Sequence, residues 1–237
     1  MPVKKLSSVN AIAVFMGFTV YFFILLFTLL PYLKNNYSIN SALYWFITGY
    51  FLFIPLFVYS IAAVRREGST DVKSILQALN IKPFSQKDLI YSISGLLLVF
   101  ICTGVIFGVS FLLNKYYGIR LLSTTPWFIV MHPFQGSDRL LLLVWFPMFF
   151  FNIAGEEMLW RGYIQTRLNG RYAWLLCSLL WMIFHLPFGI DLMIILIPVI
   201  IIIPYVYSKT DNTLTGIFIH GFYNGPIFVM AALGIVK

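Results

Sequence analysis

Two adjacent glutamates, Glu156 and Glu157, follow a long apolar stretch of the sequence. The chain has only three glutamates, and an ionisable side chain at membrane depth costs about 2.5–3.5 kcal/mol on insertion scales. On a helix, Glu157 and Arg161 share one face four residues apart, with the acid first, which is the favoured order for an ion pair. Glu156 points about 100° away and has no charged residue at helical spacing. The spacing therefore predicts a structural ion pair at Glu157 and leaves the Glu156 carboxylate free for chemistry.

Two later segments also place polar side chains four residues apart among apolar ones. Trp181 and His185 share one helical face, and His220 and Asn224 share another. Polar groups in membrane helices usually face the interior of the bundle rather than lipid. We therefore expect these two pairs and the glutamates to line one cavity.

Together these residue types suit acid–base chemistry on water. A carboxylate beside an imidazole in a poorly solvated cavity can take a proton from water, and we assign this role to Glu156 and His185. A histidine and an asparagine can donate hydrogen bonds to an oxyanion, which is the main electrostatic requirement for cleaving an amide. We assign that role to His220 and Asn224. The set predicts a hydrolase that needs no cofactor.

Zinc binding is the alternative interpretation of the same residues. Zinc takes histidine and carboxylate ligands and keeps one position open in catalytic sites, so Glu156, His185 and His220 would be the ligands. The sequence lacks the His-Glu-x-x-His pattern, which would place two ligands on one helical face. We therefore favour the mechanism without a metal.

The chain as a whole has the composition of a membrane protein. Of its 237 residues, 60% are hydrophobic and 10% are charged, whereas soluble domains have about 25% charged residues. Several apolar runs exceed the roughly 18 residues that a membrane-spanning helix needs. We predict one integral membrane domain over residues 1–237, an all-α bundle of seven or eight spans with its polar motifs in residues 139–230. The seven spans are predicted at 9–33, 41–64, 89–113, 139–168, 172–186, 191–207 and 213–236.

The net charge of +8 comes from basic residues that cluster between the apolar runs. The densest cluster lies in residues 65–87, where we also predict a short interfacial helix at 71–79. Basic loops mark the cytoplasmic side of a membrane protein. We therefore expect a cytoplasmic N-terminus, membrane lipid as a partner and no nucleic acid. The sequence shows no organellar targeting signal, which favours a prokaryotic plasma membrane, and it does not indicate an oligomeric state.

The polar motifs resemble those of the CPBP family. This family comprises the CaaX proteases related to the Ras-converting endopeptidase, and the bacteriocin-processing, abortive-infection-like proteases. The resemblance lies in Glu156-Glu157-x-x-x-Arg161, in an aromatic residue four positions before His185, and in His220-x-x-x-Asn224, and it covers about residues 139–230. The aromatic residue here is Trp181, where the family more often has phenylalanine.

This resemblance implies an all-helical intramembrane endopeptidase of about eight spans. Glu156 and His185 would activate water, His220 and Asn224 would bind the oxyanion, and Glu157, Arg161 and Trp181 would support them. Family members are often labelled metalloproteases, although a glutamate-dependent mechanism is favoured. Substrates would be prenylated CaaX tails, bacteriocin leaders or quorum-sensing precursors. Two other interpretations stay open: a non-catalytic immunity or signalling scaffold, and a proton or small-molecule transporter.

Overall fold

The computed structural model describes residues 4–123, 125–129 and 132–235, and regular structure within them is entirely helical. The predicted all-α class is confirmed. The helical segments of these residues are α1 (Ser8–Asn36), α2 (Ser41–Arg66), α3 (Val72–Ala78), α4 (Gln86–Tyr117), α5 (Gly136–Gln165), α6 (Ala173–Phe188), α7 (Ile190–Thr210) and α8 (Thr213–Ala232).

Within the described residues, six helices are long and apolar enough to cross a membrane: α1, α2, α4, α5, α7 and α8. They contain 20 to 32 residues, so even the shortest can span a hydrocarbon core of about 30 Å. By contrast, the α-helical part of α6, Ala173–Phe184, has 12 residues and spans only about 18 Å. Length and composition support an integral membrane protein with six spans, and the count of seven or eight stays a prediction.

Side-chain caps fix where several of these helices begin. Asn40 and Asn212 each accept a hydrogen bond from the backbone N–H two residues further on, at the starts of α2 and α8. Ser85 and Asp88 form a reciprocal capping box at the start of α4. This helix ends at Gly118, whose φ of 68° lies in the left-handed region that glycine adopts without strain.

One end of the bundle, the basic end, is formed by residues 65–87 and by the chain after α5 and α7. The buried Arg167 donates hydrogen bonds of 2.7–3.2 Å to both carboxylate oxygens of Glu67 and binds the carbonyl oxygen of Ala78. Asn80 donates a hydrogen bond of 2.8 Å to Asp211, beyond the end of α7. These contacts hold α3 and the loop after it against α5 and α7. The short helix predicted at 71–79 is confirmed by α3, Val72–Ala78.

The opposite end joins the loop before α5 to the ends of α6 and α8. The indole N–H of Trp127 donates a 2.9 Å hydrogen bond to the carbonyl oxygen of Pro187. The backbone N–H of Phe134 donates a 2.7 Å hydrogen bond to the carbonyl oxygen of Ala232. The short helix α6 therefore runs from the basic end of the bundle to the opposite end.

Two glycines let α5 approach its neighbours at backbone distance. A Cβ atom at Gly155 would lie 2.8 Å from the carbonyl oxygen of Phe53 on α2, and one at Gly162 would lie 2.7 Å from that of Leu79. Only glycine fits where two backbones come this close. The contacts fix the segment between the two glycines, which carries both glutamates.

Candidate active site

The helix that carries the glutamates changes its winding between them. Residues Leu141–Glu156 are α-helical, whereas Glu157–Gln165 form a π-helix, in which hydrogen bonds connect residues five apart. π-helical turns inside α-helices are rare and are frequent at functional sites. The sequence analysis assumed regular α-helical spacing here and did not predict the change.

Glu157 is fully buried between the side chains of Arg161 and His220. Its Oε2 lies 3.1 Å from Nε of Arg161, and its Oε1 lies 2.9 Å from Nδ1 of His220 on α8. A Cβ atom at Gly216, one turn before His220, would overlap the Glu157 carboxylate. The structure thus confirms the predicted ion pair with Arg161. It also adds a contact with His220 that the sequence analysis did not predict.

Glu156 is 2% exposed and is bound by uncharged donors. The side-chain amide of Asn152 donates a 2.7 Å hydrogen bond to Oε1, and the indole N–H of Trp181 donates one of 2.6 Å to Oε2. Among the described residues, no cation lies within ion-pair distance of this carboxylate. Sequence reasoning missed Asn152, although it lies four residues before Glu156 and therefore on the same helical face.

The indole ring of Trp181 is the point where the three polar segments meet. It makes edge-on contacts with the rings of His185 and His220, at centroid distances of 5.3 Å and 5.4 Å. The guanidinium carbon of Arg161 lies 3.6 Å from the centre of the same indole, a cation–π arrangement. Glu156, Arg161 and both histidines therefore contact one aromatic side chain.

His185 ends the α-helical part of α6 and is 8% exposed. Its Nδ1 lies 2.8 Å from the backbone carbonyl oxygen of Trp181, one turn earlier. A carbonyl oxygen only accepts hydrogen bonds, so Nδ1 carries the proton. When the ring is neutral, its lone pair therefore lies on Nε2, where it can accept a proton from water.

Asn224 lies one helical turn after His220 on α8 and is half-buried. Within the part of the chain that the structure describes, its side chain has no hydrogen-bond partner. The structure therefore places Asn224 on the predicted helical face, without a hydrogen bond to the other described site residues. Its role in binding an oxyanion stays a prediction.

The interior around Arg161 contains polar atoms without partners. The guanidinium nitrogens Nη1 and Nη2 of Arg161 are buried and, among the described residues, form no hydrogen bond. Buried polar groups are almost always satisfied in folded proteins, so such exceptions need a physical account. For Arg161 the account is electrostatic, because the guanidinium is paired with Glu157 and stacked on Trp181.

The hydrogen bonds at the site give the alternative zinc site no support. Both oxygens of Glu156 already accept hydrogen bonds from uncharged donors, and Nδ1 of His220 faces the carboxylate of Glu157. In the described residues, no three His, Cys, Asp or Glu side chains are grouped as metal ligands would be. We therefore derive no step of the chemistry through a metal ion.

A groove of about 540 Å³ lies along α5 and α8, the helices that carry the glutamates and His220. Its lining is apolar and includes Phe149, Phe218 and Gly221. Open apolar grooves of this size commonly hold small apolar ligands. None of the residues that line the groove is one of the polar site residues described above.

The comparison with protein families agrees with this geometry. A family model described as type II CAAX prenyl endopeptidase Rce1-like matches residues 138–225, which include every site residue named above. No curated protein and no solved structure matches the chain significantly. The resemblance found in the sequence is therefore confirmed, and the segment that carries the site matches the Rce1-like family of type II CAAX prenyl endopeptidases.

Proposed function

We propose that this chain is an intramembrane endopeptidase that hydrolyses a peptide bond in a membrane-associated peptide. The observation that carries the proposal is the environment of Glu156. This buried carboxylate is bound only by uncharged donors and shares the Trp181 ring with both histidines. The family match supports the same reaction class.

In the proposed reaction, a water molecule binds between Glu156 and Nε2 of His185. These groups take a proton from the water as its oxygen attacks the carbonyl carbon of the substrate. The C–N bond then breaks, and the proton passes to the leaving nitrogen. The base is thereby regenerated, and no cofactor is consumed.

His220 and Asn224 are the proposed donors to the oxyanion. Since Nδ1 of His220 faces Glu157, Nε2 can donate as well only when both ring nitrogens are protonated. Asn224 would supply an uncharged second donor from the next turn of α8.

The proposed substrate is the tail of a membrane-associated protein, either a prenylated CaaX peptide or a leader peptide. The apolar groove between α5 and α8 supports a substrate that carries a hydrocarbon chain. A chain lying in this groove would bring the attached peptide to the helices that carry Glu156 and His220.

We also propose that the chain crosses the membrane seven times, with the basic end in the cytoplasm. α6 connects the two ends of the bundle, so it and the six long helices alternate in direction. The backbone N–H of Leu6 binds the carbonyl oxygen of Arg167 at 2.9 Å, which places the N-terminal segment at the basic end. Reagents that cannot cross the membrane should label a cysteine at position 73 only from the cytoplasm, and labelling from outside would overturn the orientation.

The mechanism is tested by Glu156→Gln in purified protein reconstituted in nanodiscs. With prenylated and unmodified peptides, we expect this variant to lose at least about a hundredfold in turnover, because acid–base catalysis contributes about 10²–10⁴-fold. Its thermal unfolding should stay close to that of the unchanged protein. We expect turnover of the unchanged protein to persist in a strong chelator.

Several outcomes would contradict this proposal. Retained turnover in Glu156→Gln would remove the carboxylate from the mechanism, and loss of activity on chelation would favour zinc. Immunity or signalling that survives Glu156→Ala would favour a non-catalytic scaffold. Proton or solute flux in proteoliposomes without any peptide would favour a transporter.

A further inference from the structure

Each oxygen of the Glu156 carboxylate accepts one hydrogen bond, and the two donors come from different helices. Asn152 lies one turn earlier on α5, and Trp181 lies on α6. A carboxylate offers about four lone-pair positions, so one hydrogen bond on each oxygen still leaves a free position on each. Two such anchors define the plane of the group, which a single partner would leave free to rotate.

We propose that Asn152 and Trp181 are positioning residues that together orient the Glu156 carboxylate toward its water. The inference rests on the proposed hydrolytic function and adds to it two specific hydrogen bonds. Both donors are uncharged, so they hold the carboxylate without neutralising its charge. Trp181 also contacts the rings of His185 and His220. Its indole therefore fixes the position of the Glu156 carboxylate relative to the two imidazoles.

The chain contains a matched control for the indole N–H. Trp160 is also fully buried, and its ring stacks on Phe15 at 3.9 Å. Unlike that of Trp181, its Nε1 has no hydrogen-bond partner among the described residues. Trp160→Phe and Trp181→Phe remove the same atoms from the interior, but only the second removes a hydrogen bond to Glu156.

Kinetics form the first part of the test. We expect Trp181→Phe and Asn152→Leu each to lower kcat by roughly ten- to a hundredfold with little change in KM, since hydrogen bonds to charged groups are the strong ones. Trp160→Phe should keep the kcat of the unchanged protein. Benzothienylalanine at position 181 keeps the shape of the indole but has no N–H, and it should behave like Trp181→Phe. Full activity with benzothienylalanine would show that shape alone matters and would overturn the proposal.

A second measurement does not depend on catalysis. Protein labelled with ¹⁵N at its six tryptophans should give indole N–H signals, and the signal lost in Trp181→Phe identifies Trp181. We expect that signal to lie furthest downfield and to move upfield in Glu156→Gln, whereas the signal lost in Trp160→Phe should stay in place. A Trp181 signal that does not respond to Glu156→Gln would overturn the inference even if the protein cleaves peptides. A responsive signal in a protein without turnover would instead count against the proposed function alone.

Discussion

Glu156 and Glu157 are consecutive and equally buried, but their partners are of opposite kinds. Glu157 faces the guanidinium of Arg161 and the imidazole of His220, whereas Glu156 accepts hydrogen bonds from an amide and an indole. The contacts with Arg161 and His220 occupy Glu157 in the packing of α5 against α8. Uncharged donors orient a carboxylate and leave its charge uncompensated. This contrast separates a structural acid from an acid that can act as a base.

The contrast follows from the directions in which the two consecutive side chains point on α5. Each glutamate has one partner on its own helix and one on another helix: Glu156 binds Asn152 four residues before it, and Glu157 pairs with Arg161 four residues after it. The α-helical part of α5 ends at Glu156, and the π-helical part begins at Glu157. The two side chains therefore point to different neighbours, Glu156 to α6 and Glu157 to α8.

The largest effect on folding should come from Glu157→Gln. Removing this carboxylate leaves Arg161 buried without a counter-charge, and breaking a buried ion pair typically costs about 3–5 kcal/mol. Glu156→Gln should cost less than about 1.5 kcal/mol, because a glutamine oxygen can still accept the Trp181 hydrogen bond. Equilibrium unfolding in mixed micelles measures both free energies of unfolding.

The double variant Glu157→Met with Arg161→Met is the control. Replacing both partners of a buried pair by apolar residues is often neutral, so this variant should be more stable than Glu157→Gln. Losses of equal size in Glu156→Gln and Glu157→Gln would remove the distinction between the two acids.

Short-range geometry was predictable from the sequence, and contacts between helices were not. Residues four apart share a helical face wherever they occur, so the pair of Glu157 and Arg161 followed from spacing alone. Asn152 obeys the same rule but was missed, because the analysis looked for charged partners of Glu156. The hydrogen bond from Trp181 and the contact of His220 with Glu157 depend on how α5, α6 and α8 pack.

Two features of the backbone also lay beyond sequence patterns. The pattern of apolar residues gave no sign that the α-helix changes to a π-helix at Glu157. The apolar run in α6 predicts a span, yet its α-helical part ends at Phe184, just before His185 and Pro187. Its start just after α5 at the basic end and the contact of Trp127 with Pro187 at the opposite end, rather than its length, support a crossing.

Gly216→Ala should disturb Glu157 and leave Glu156 in place. The new methyl group would overlap the Glu157 carboxylate and lie 3.3 Å from Ile203, and overpacking of a core typically costs about 1–3 kcal/mol. Turnover should fall as well, since displacement of Glu157 moves its partner His220. Gly104→Ala and Gly108→Ala on α4 are the controls, because a Cβ atom there meets no other atom within 4 Å. A Gly216→Ala protein as stable and active as these controls would show that Glu157 has room to move.

The smallest effect should come from Arg161→Lys. This variant tests whether the positive charge of Arg161 or its planar guanidinium stabilises the buried Glu157. Lysine keeps the positive charge but cannot stack on Trp181 as the guanidinium does, so stability should fall by about 1 kcal/mol. Arg161→Met, which removes the charge, should cost several times more, because Glu157 then keeps only His220. Unfolding of the two variants under identical conditions measures the difference. If Arg161→Lys were as unstable as Arg161→Met, stacking of the guanidinium on Trp181, rather than its charge, would stabilise this part of the core. The contrast between Glu156 and Glu157 would then not depend on the charge of their partners.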